Sequence, residues 1–71
     1  MENKMRFQIF SGPLDEEWLV AELLYGEEMW GELIEWGKTL ILYPRQNGEP
    51  WQFSTEDMMA IIVQAQARVR T

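Results

Sequence analysis

The chain has 71 residues and a net charge of −6, and it contains neither cysteine nor histidine. This length accommodates one domain, residues 1–71. Disulfides and the usual zinc sites are excluded, and the commonest general base and the thiol nucleophile are missing. We therefore predict a non-enzymatic domain that uses no cofactor and no metal.

The net negative charge and the absence of long apolar runs indicate where the protein is located and what it binds. The longest apolar run, residues 58–63, falls far short of the ~20 residues that a membrane span needs, and no signal peptide is visible. Absent cysteines fit a reducing compartment. Negative charge repels phosphate backbones and attracts basic protein surfaces. We expect a cytoplasmic protein that binds neither nucleic acid nor membrane.

Two interpretations compete near the N-terminus. Alternation around Phe7 and Ile9 predicts a first strand over residues 5–10. The acidic run 15–17 is typical of a helix start, so a helix over about 14–25 is one option. The other is a strand over 18–25 that turns at Gly26-Glu27 and pairs Tyr25 with Glu28, Leu24 with Met29, Leu23 with Trp30 and Val20 with Leu33. We favour the strand because it brings apolar partners together along its length.

A second hairpin is predicted in the middle of the chain. Alternation over 30–36 and the β-rich segment 39–43 flank Gly37-Lys38, which suits a two-residue turn. This turn would pair Ile34 with Ile41 and Leu33 with Leu42. Pro44 would end the pairing because it has no N–H to donate.

The C-terminal segment is typical of a helix over about 55–70. Ser54 is a good N-cap, Glu56 and Asp57 suit the positive end of the helix, and apolar residues recur at helical spacing. Residues 51–53 would form a short extended piece that anchors the helix start in the core. The predicted fold is α+β: a short antiparallel β-meander of about 3–4 strands packed by one C-terminal helix, or βαββα if residues 14–25 are helical.

The segments 42–44 and 48–53, followed by the acidic-capped helix, resemble those of small bacterial domains of unknown function, some of them immunity proteins. The similarity covers about residues 18–70. It implies a non-catalytic inhibitor of a cognate toxin. It implies no particular binding residues, since these groups share no fixed contact motif.

The aromatic content of the predicted sheet indicates a protein-binding surface. Both faces of the predicted sheet are apolar, and one amphipathic helix covers only one of them. An uncovered apolar face rich in Trp and Tyr is typical of a binding site. We predict that this face binds another protein, with an acidic rim that includes Glu35. The predicted partner-binding residues are Trp30, Trp36, Tyr43, Glu28, Glu32 and Ile34.

The same residues also allow plainer interpretations. The apolar face could be buried against itself in an obligate homodimer, or residues 5–25 could fold back over it. Glu28 and Glu32 could form a carboxylate pair on one face, although a solvated row is the plainer interpretation. The run 15–17 could ligate magnesium or calcium, but an exposed acidic turn accounts for it better.

Overall fold

The computed structural model describes residues 4–11 and 18–70. Its sheet is antiparallel throughout, with strand order β1-β2-β3-β4, and the helix follows the last strand. This arrangement confirms the predicted α+β meander with one C-terminal helix. The elements in chain order are β1 (Met5–Ser11), β2 (Leu19–Tyr25), β3 (Glu28–Ile34), β4 (Thr39–Leu42) and α1 (Thr55–Val69).

Strand β2 decides between the two N-terminal interpretations. Residues 19–25 form the inner strand between β1 and β3, so the helical alternative is wrong over that part. The acidic run 15–17 lies outside the described residues. Leu23 and Leu24 are consecutive and both buried. Because neighbouring residues of a strand point to opposite faces, two consecutive buried leucines form a continuous apolar run, which pattern alone does not assign to strand or helix.

A β-bulge interrupts the β2–β3 hairpin. The predicted pairs Tyr25–Glu28 and Leu24–Met29 are present, but the register then shifts, and Leu23 lies opposite Gly31. The predicted pairs Leu23–Trp30 and Val20–Leu33 are therefore wrong. Because a bulge sets two residues against one, the side chain of Trp30 points to the helix side of the sheet, as Leu23 does.

The β3–β4 turn is longer than predicted. Ile34 pairs with Thr39, so four residues rather than two connect the strands and the predicted register is wrong by two residues. Glu35, Trp36 and Gly37 have φ angles of 54°, 63° and 82°. An even shift keeps Ile34 and Ile41 on one face of this hairpin and Leu33 and Leu42 on the other, as predicted, since the side-chain period of a strand is two.

Helix α1 begins and packs as its sequence predicts. The Ser54 hydroxyl accepts a hydrogen bond from the Asp57 N–H at 3.4 Å, which confirms the N-cap. Ile61, Ala65 and Val69 form the buried stripe, which packs over β1 and β2. Toward the other end of the helix, the Gln66 side-chain amide donates a hydrogen bond to the Gly37 carbonyl at 3.0 Å, which links α1 to the β3–β4 turn.

The core lies between α1 and the sheet. It consists of the buried residues Ala21, Leu23, Trp30, Leu33, Ile61, Ala65 and Val69. Trp51 and Phe53 pack against it, which confirms their predicted anchoring role, although residues 51–53 add no strand. The Phe53 ring centre lies 5.0 Å from that of Trp30, and the Trp51 indole N–H donates to the Tyr43 carbonyl at 3.1 Å.

Candidate protein-interaction surface

The sheet face opposite α1 is the candidate site. Since side chains alternate along a strand, the residues between the core positions of β2 point away from the helix. Within the described residues, no helix or strand packs over this face. We call it the open face, and it comprises Phe10, Trp18, Val20, Glu22, Glu32, Ile34 and Ile41, which line a shallow depression of about 410 Å³ together with Ser11.

The residues around the two glutamates of the open face are mostly apolar and partly in contact with water. Phe10 is 44% exposed, Trp18, Ile34 and Ile41 are half-buried, and Val20 is buried. Residues 5–11 and 19–25 are strands of the sheet itself, so they do not fold back over it. An uncovered patch of this kind on a small domain is typical of an interaction site.

Two carboxylates lie opposite each other at the centre of this face. Glu22 on β2 and Glu32 on β3 form a directly opposed cross-strand pair. Like charges in this arrangement destabilise a sheet. Glu22 is absent from the predicted binding residues, because the predicted register places it opposite Gly31. Gly31 itself was the available signal, since a glycine inside a strand pattern often indicates a bulge.

Tyr43 completes the acidic centre. Its hydroxyl donates to Glu32 Oε1 at 3.1 Å. This hydrogen bond raises the pKa of Tyr43 above its ordinary value, and burial and the negative charges of Glu32 and Glu22 raise the pKa further. Ionisation of the phenol would remove the donor and place a third negative charge beside the two glutamates.

The raised pKa of Tyr43 predicts a loss of stability in alkali. A phenol whose pKa is higher in the folded state stabilises the fold fully below the unfolded pKa of about 10, and this contribution disappears as pH rises through the folded pKa. We expect the free energy of unfolding to fall less steeply above about pH 10 in Tyr43→Phe than in the wild type. Urea melts across this pH range measure it, and identical slopes would contradict the prediction.

Three of the predicted binding residues lie together. Glu32 and Ile34 belong to the open face, and Tyr43 borders it through its bond to Glu32. Trp30 does not lie there: it is 2% exposed and belongs to the helix-side core, because the bulge reverses its direction. Its predicted place on an exposed face with Ile34 and Tyr43 is wrong.

The other three residues lie at the ends of the sheet. Glu28 pairs with Tyr25, whose ring packs on Phe53, so Glu28 lies on the other face from Glu32. The predicted common face of these two carboxylates is therefore wrong. Glu28 Oε2 accepts the Gln46 N–H at 2.7 Å. Trp36 is 40% exposed in the β3–β4 turn, beside Glu35, so both lie at the margin rather than on the open face.

Much of the aromatic content serves packing on the helix side. Phe53 lies at the centre of a cluster in which its ring is 5.0–5.5 Å from those of Trp30, Trp51 and Tyr25. The Arg45 guanidinium lies 5.0 Å from the centre of the Trp51 ring, on its face. A cleft of about 430 Å³ beside this cluster is lined by Trp30, Leu42, Tyr43, Trp51, Gln52, Phe53, Thr55 and Met58.

Metal-binding clusters and membrane-spanning helices are the other features that would suggest a function. Among residues 4–11 and 18–70, no three acidic side chains come together in a way that would hold a metal ion. In the same part of the chain, α1 is neither long nor apolar enough to cross a membrane. No protein-family model, curated protein or solved structure matches the chain. The open face is the candidate site on its own geometry.

Proposed function

We propose that this chain is a non-enzymatic interaction domain whose open face binds a basic protein. The supporting observation is the facing pair Glu22 and Glu32 at the centre of an uncovered apolar surface. An acidic immunity-type inhibitor of a basic toxin is one form of this function. It agrees with the resemblance of residues 18–70 to immunity-type domains.

The acidic pair favours a partner that presents one arginine or lysine. A cation placed between Glu22 and Glu32 relieves their repulsion and makes charge-assisted hydrogen bonds to both. The free domain sets these two like charges on opposed residues, and a cation bound between them would offset both. Relief of this repulsion would therefore add to the free energy of binding.

The apolar residues around the two glutamates would supply buried contact area and would keep water away from the charged pair. Phe10, Trp18, Ile34 and Ile41 surround the carboxylates. Burial of apolar surface contributes about 25 cal/mol per Å², and a ring of apolar contacts shields a central charged pair from solvent. The net charge of −6 accelerates encounter with a basic partner.

Neutralising the pair tests the proposal. The immobilised wild-type domain, the double variant Glu22→Gln/Glu32→Gln and the control Glu27→Gln/Glu49→Gln would be exposed to extract of the native cell. The control removes the same charge from turns outside the open face. We expect a basic protein that the wild type and control retain and that binds the test variant at least ~10-fold more weakly, since losing a buried charge partner costs about 2–5 kcal/mol.

The retained protein is then purified and its affinity measured by calorimetry at two salt concentrations. The affinity for the wild type should fall with salt more steeply than the affinity for Glu22→Gln/Glu32→Gln. A partner that binds both double variants equally would refute the open face as the site. Capture of acidic proteins only would refute the basic partner.

A further inference from the structure

The two glutamates of the open face form the closer type of cross-strand pair. The Tyr43 N–H donates to the Trp30 carbonyl at 3.0 Å, so these two residues direct their backbone groups toward each other. Because such groups alternate in direction along antiparallel strands, Glu32 directs its backbone groups toward Ile41 of β4 and not toward β2. Glu22 and Glu32 are therefore a non-hydrogen-bonded pair, in which Cα atoms lie about 4.5 Å apart and side chains are closest.

Neither carboxylate has a cation beside it. Both side chains are half-buried, and within residues 4–11 and 18–70 no lysine or arginine forms an ion pair with Glu22 or Glu32. Arg6, on the same face of β1, donates its Nε–H to the Gly26 carbonyl at 3.0 Å instead. The Tyr43 hydroxyl donates to Oε1 of Glu32. Three carboxylate oxygens, the two of Glu22 and Oε2 of Glu32, thus accept no hydrogen bond from the described residues.

The planar fork of a guanidinium suits this arrangement of oxygens. Its N–H groups lie in one plane and point outward, so one guanidinium donates to two neighbouring carboxylates at once. The ammonium of a lysine is a compact point charge with three donors and has no such fork. Two opposed carboxylates with three oxygens available therefore favour arginine.

The lining of the depression favours arginine as well. Phe10 and Trp18 line it together with the two glutamates, and Ile34 and Ile41 add to its apolar wall. An ammonium is strongly hydrated and loses that water on entering apolar surroundings. A guanidinium is more weakly hydrated and stacks on aromatic faces.

We propose that the group recognised by the open face is an arginine side chain of the basic partner. Its guanidinium donates to Glu22 and to Oε2 of Glu32, and it stacks on the aromatic rings of the depression. Tyr43 positions Glu32 by holding the other oxygen of that carboxylate. This assignment rests on the proposed function, which a lysine would serve equally well.

Two small probes of equal charge separate arginine from lysine. N-acetylarginine methylamide and N-acetyllysine methylamide would each be titrated at low salt into the isotope-labelled domain, and binding would be followed by amide NMR chemical shifts. We expect the arginine probe to bind at least ~5-fold more tightly, because it alone offers a planar fork and a stacking surface. The largest shifts should lie on β2 and β3 around the two glutamates.

Matched charge variants assign the preference to the open face. Glu22→Gln/Glu32→Gln should bind both probes weakly and with nearly equal affinity. The control Glu27→Gln/Glu49→Gln removes the same charge from turns outside the open face and should keep the full preference for arginine. The amide spectra report at the same time whether each variant is folded.

Replacing the rings tests the stacking. Phe10→Leu/Trp18→Leu retains both carboxylates and should bring the affinities of the two probes closer together. Equal affinities of the two probes for the wild type, binding of neither probe, or an undiminished preference in Glu22→Gln/Glu32→Gln would overturn the arginine assignment. The proposed function fails on a different result, since a partner that presents lysine would still be retained from extract by the wild type and lost with the double variant.

Discussion

Trp30→Ala is expected to remove a large part of the protein's free energy of unfolding. Trp30 is 2% exposed and packs on Leu23, Leu33 and Phe53 in the core. Truncating a buried tryptophan costs about 3–5 kcal/mol through lost burial and the cavity that remains. A chain of this length has a total stability of roughly 4–11 kcal/mol, so the variant should unfold at much lower urea concentration than the wild type.

The matched control is Trp36→Ala. Trp36 is 40% exposed, and the hydrogen bond to Arg70 uses its backbone carbonyl, which the substitution retains. We expect a change below about 1 kcal/mol for this exposed site. Urea unfolding followed by circular dichroism measures both variants. Equal losses for the two tryptophans would show that Trp30 is not the centre of the core.

Gly37→Ala is expected to be the second most damaging change, at about 2–3 kcal/mol. Gly37 has a φ of +82°, in the left-handed region that disfavours a Cβ. An added Cβ would also lie 3.1 Å from Val69 Cγ2 and 3.3 Å from Gln66 Cγ, so it would push the end of α1 away from the turn. Both effects act at the junction that anchors the helix.

Gly48→Ala separates the two effects. Gly48 has a φ of +80°, and no atom lies within 4 Å of a Cβ built there. It therefore reports the backbone preference alone, about 1 kcal/mol. The difference between the two variants measures contact with α1, provided that the denaturant slope stays constant. Equal urea midpoints would mean that the turn yields to the methyl group without disturbing the helix.

The position of α1 explains why two surfaces remain open on so small a domain. The helix has one buried stripe, and this stripe packs over β1 and β2. Among the described elements, none covers the opposite face or the β4 edge. The proposed basic partner would bury the open face.

The amino-acid sequence by itself determined the local elements. The Ser54 cap, the acidic first turn and the spacing of Ile61, Ala65 and Val69 specify α1 because each signal acts within a few residues. The order of strands follows from short connections, which place successive strands side by side. Within the β3–β4 hairpin, Ile34 and Ile41 share a face as predicted despite the error in the turn, since that register error was even.

Only the tertiary structure decided the bulge, and with it the candidate site. Leu23 pairs with Gly31 rather than with Trp30, and this register lets the Trp30 side chain pack on the helix side of the sheet. The residues that bury it there include those of α1 and Phe53, which are distant from it in sequence. The same one-residue shift brings Glu22 opposite Glu32 and separates Glu28 from them. The two possible registers differ by one residue, and the long-range contacts that each register allows decide which one is more stable.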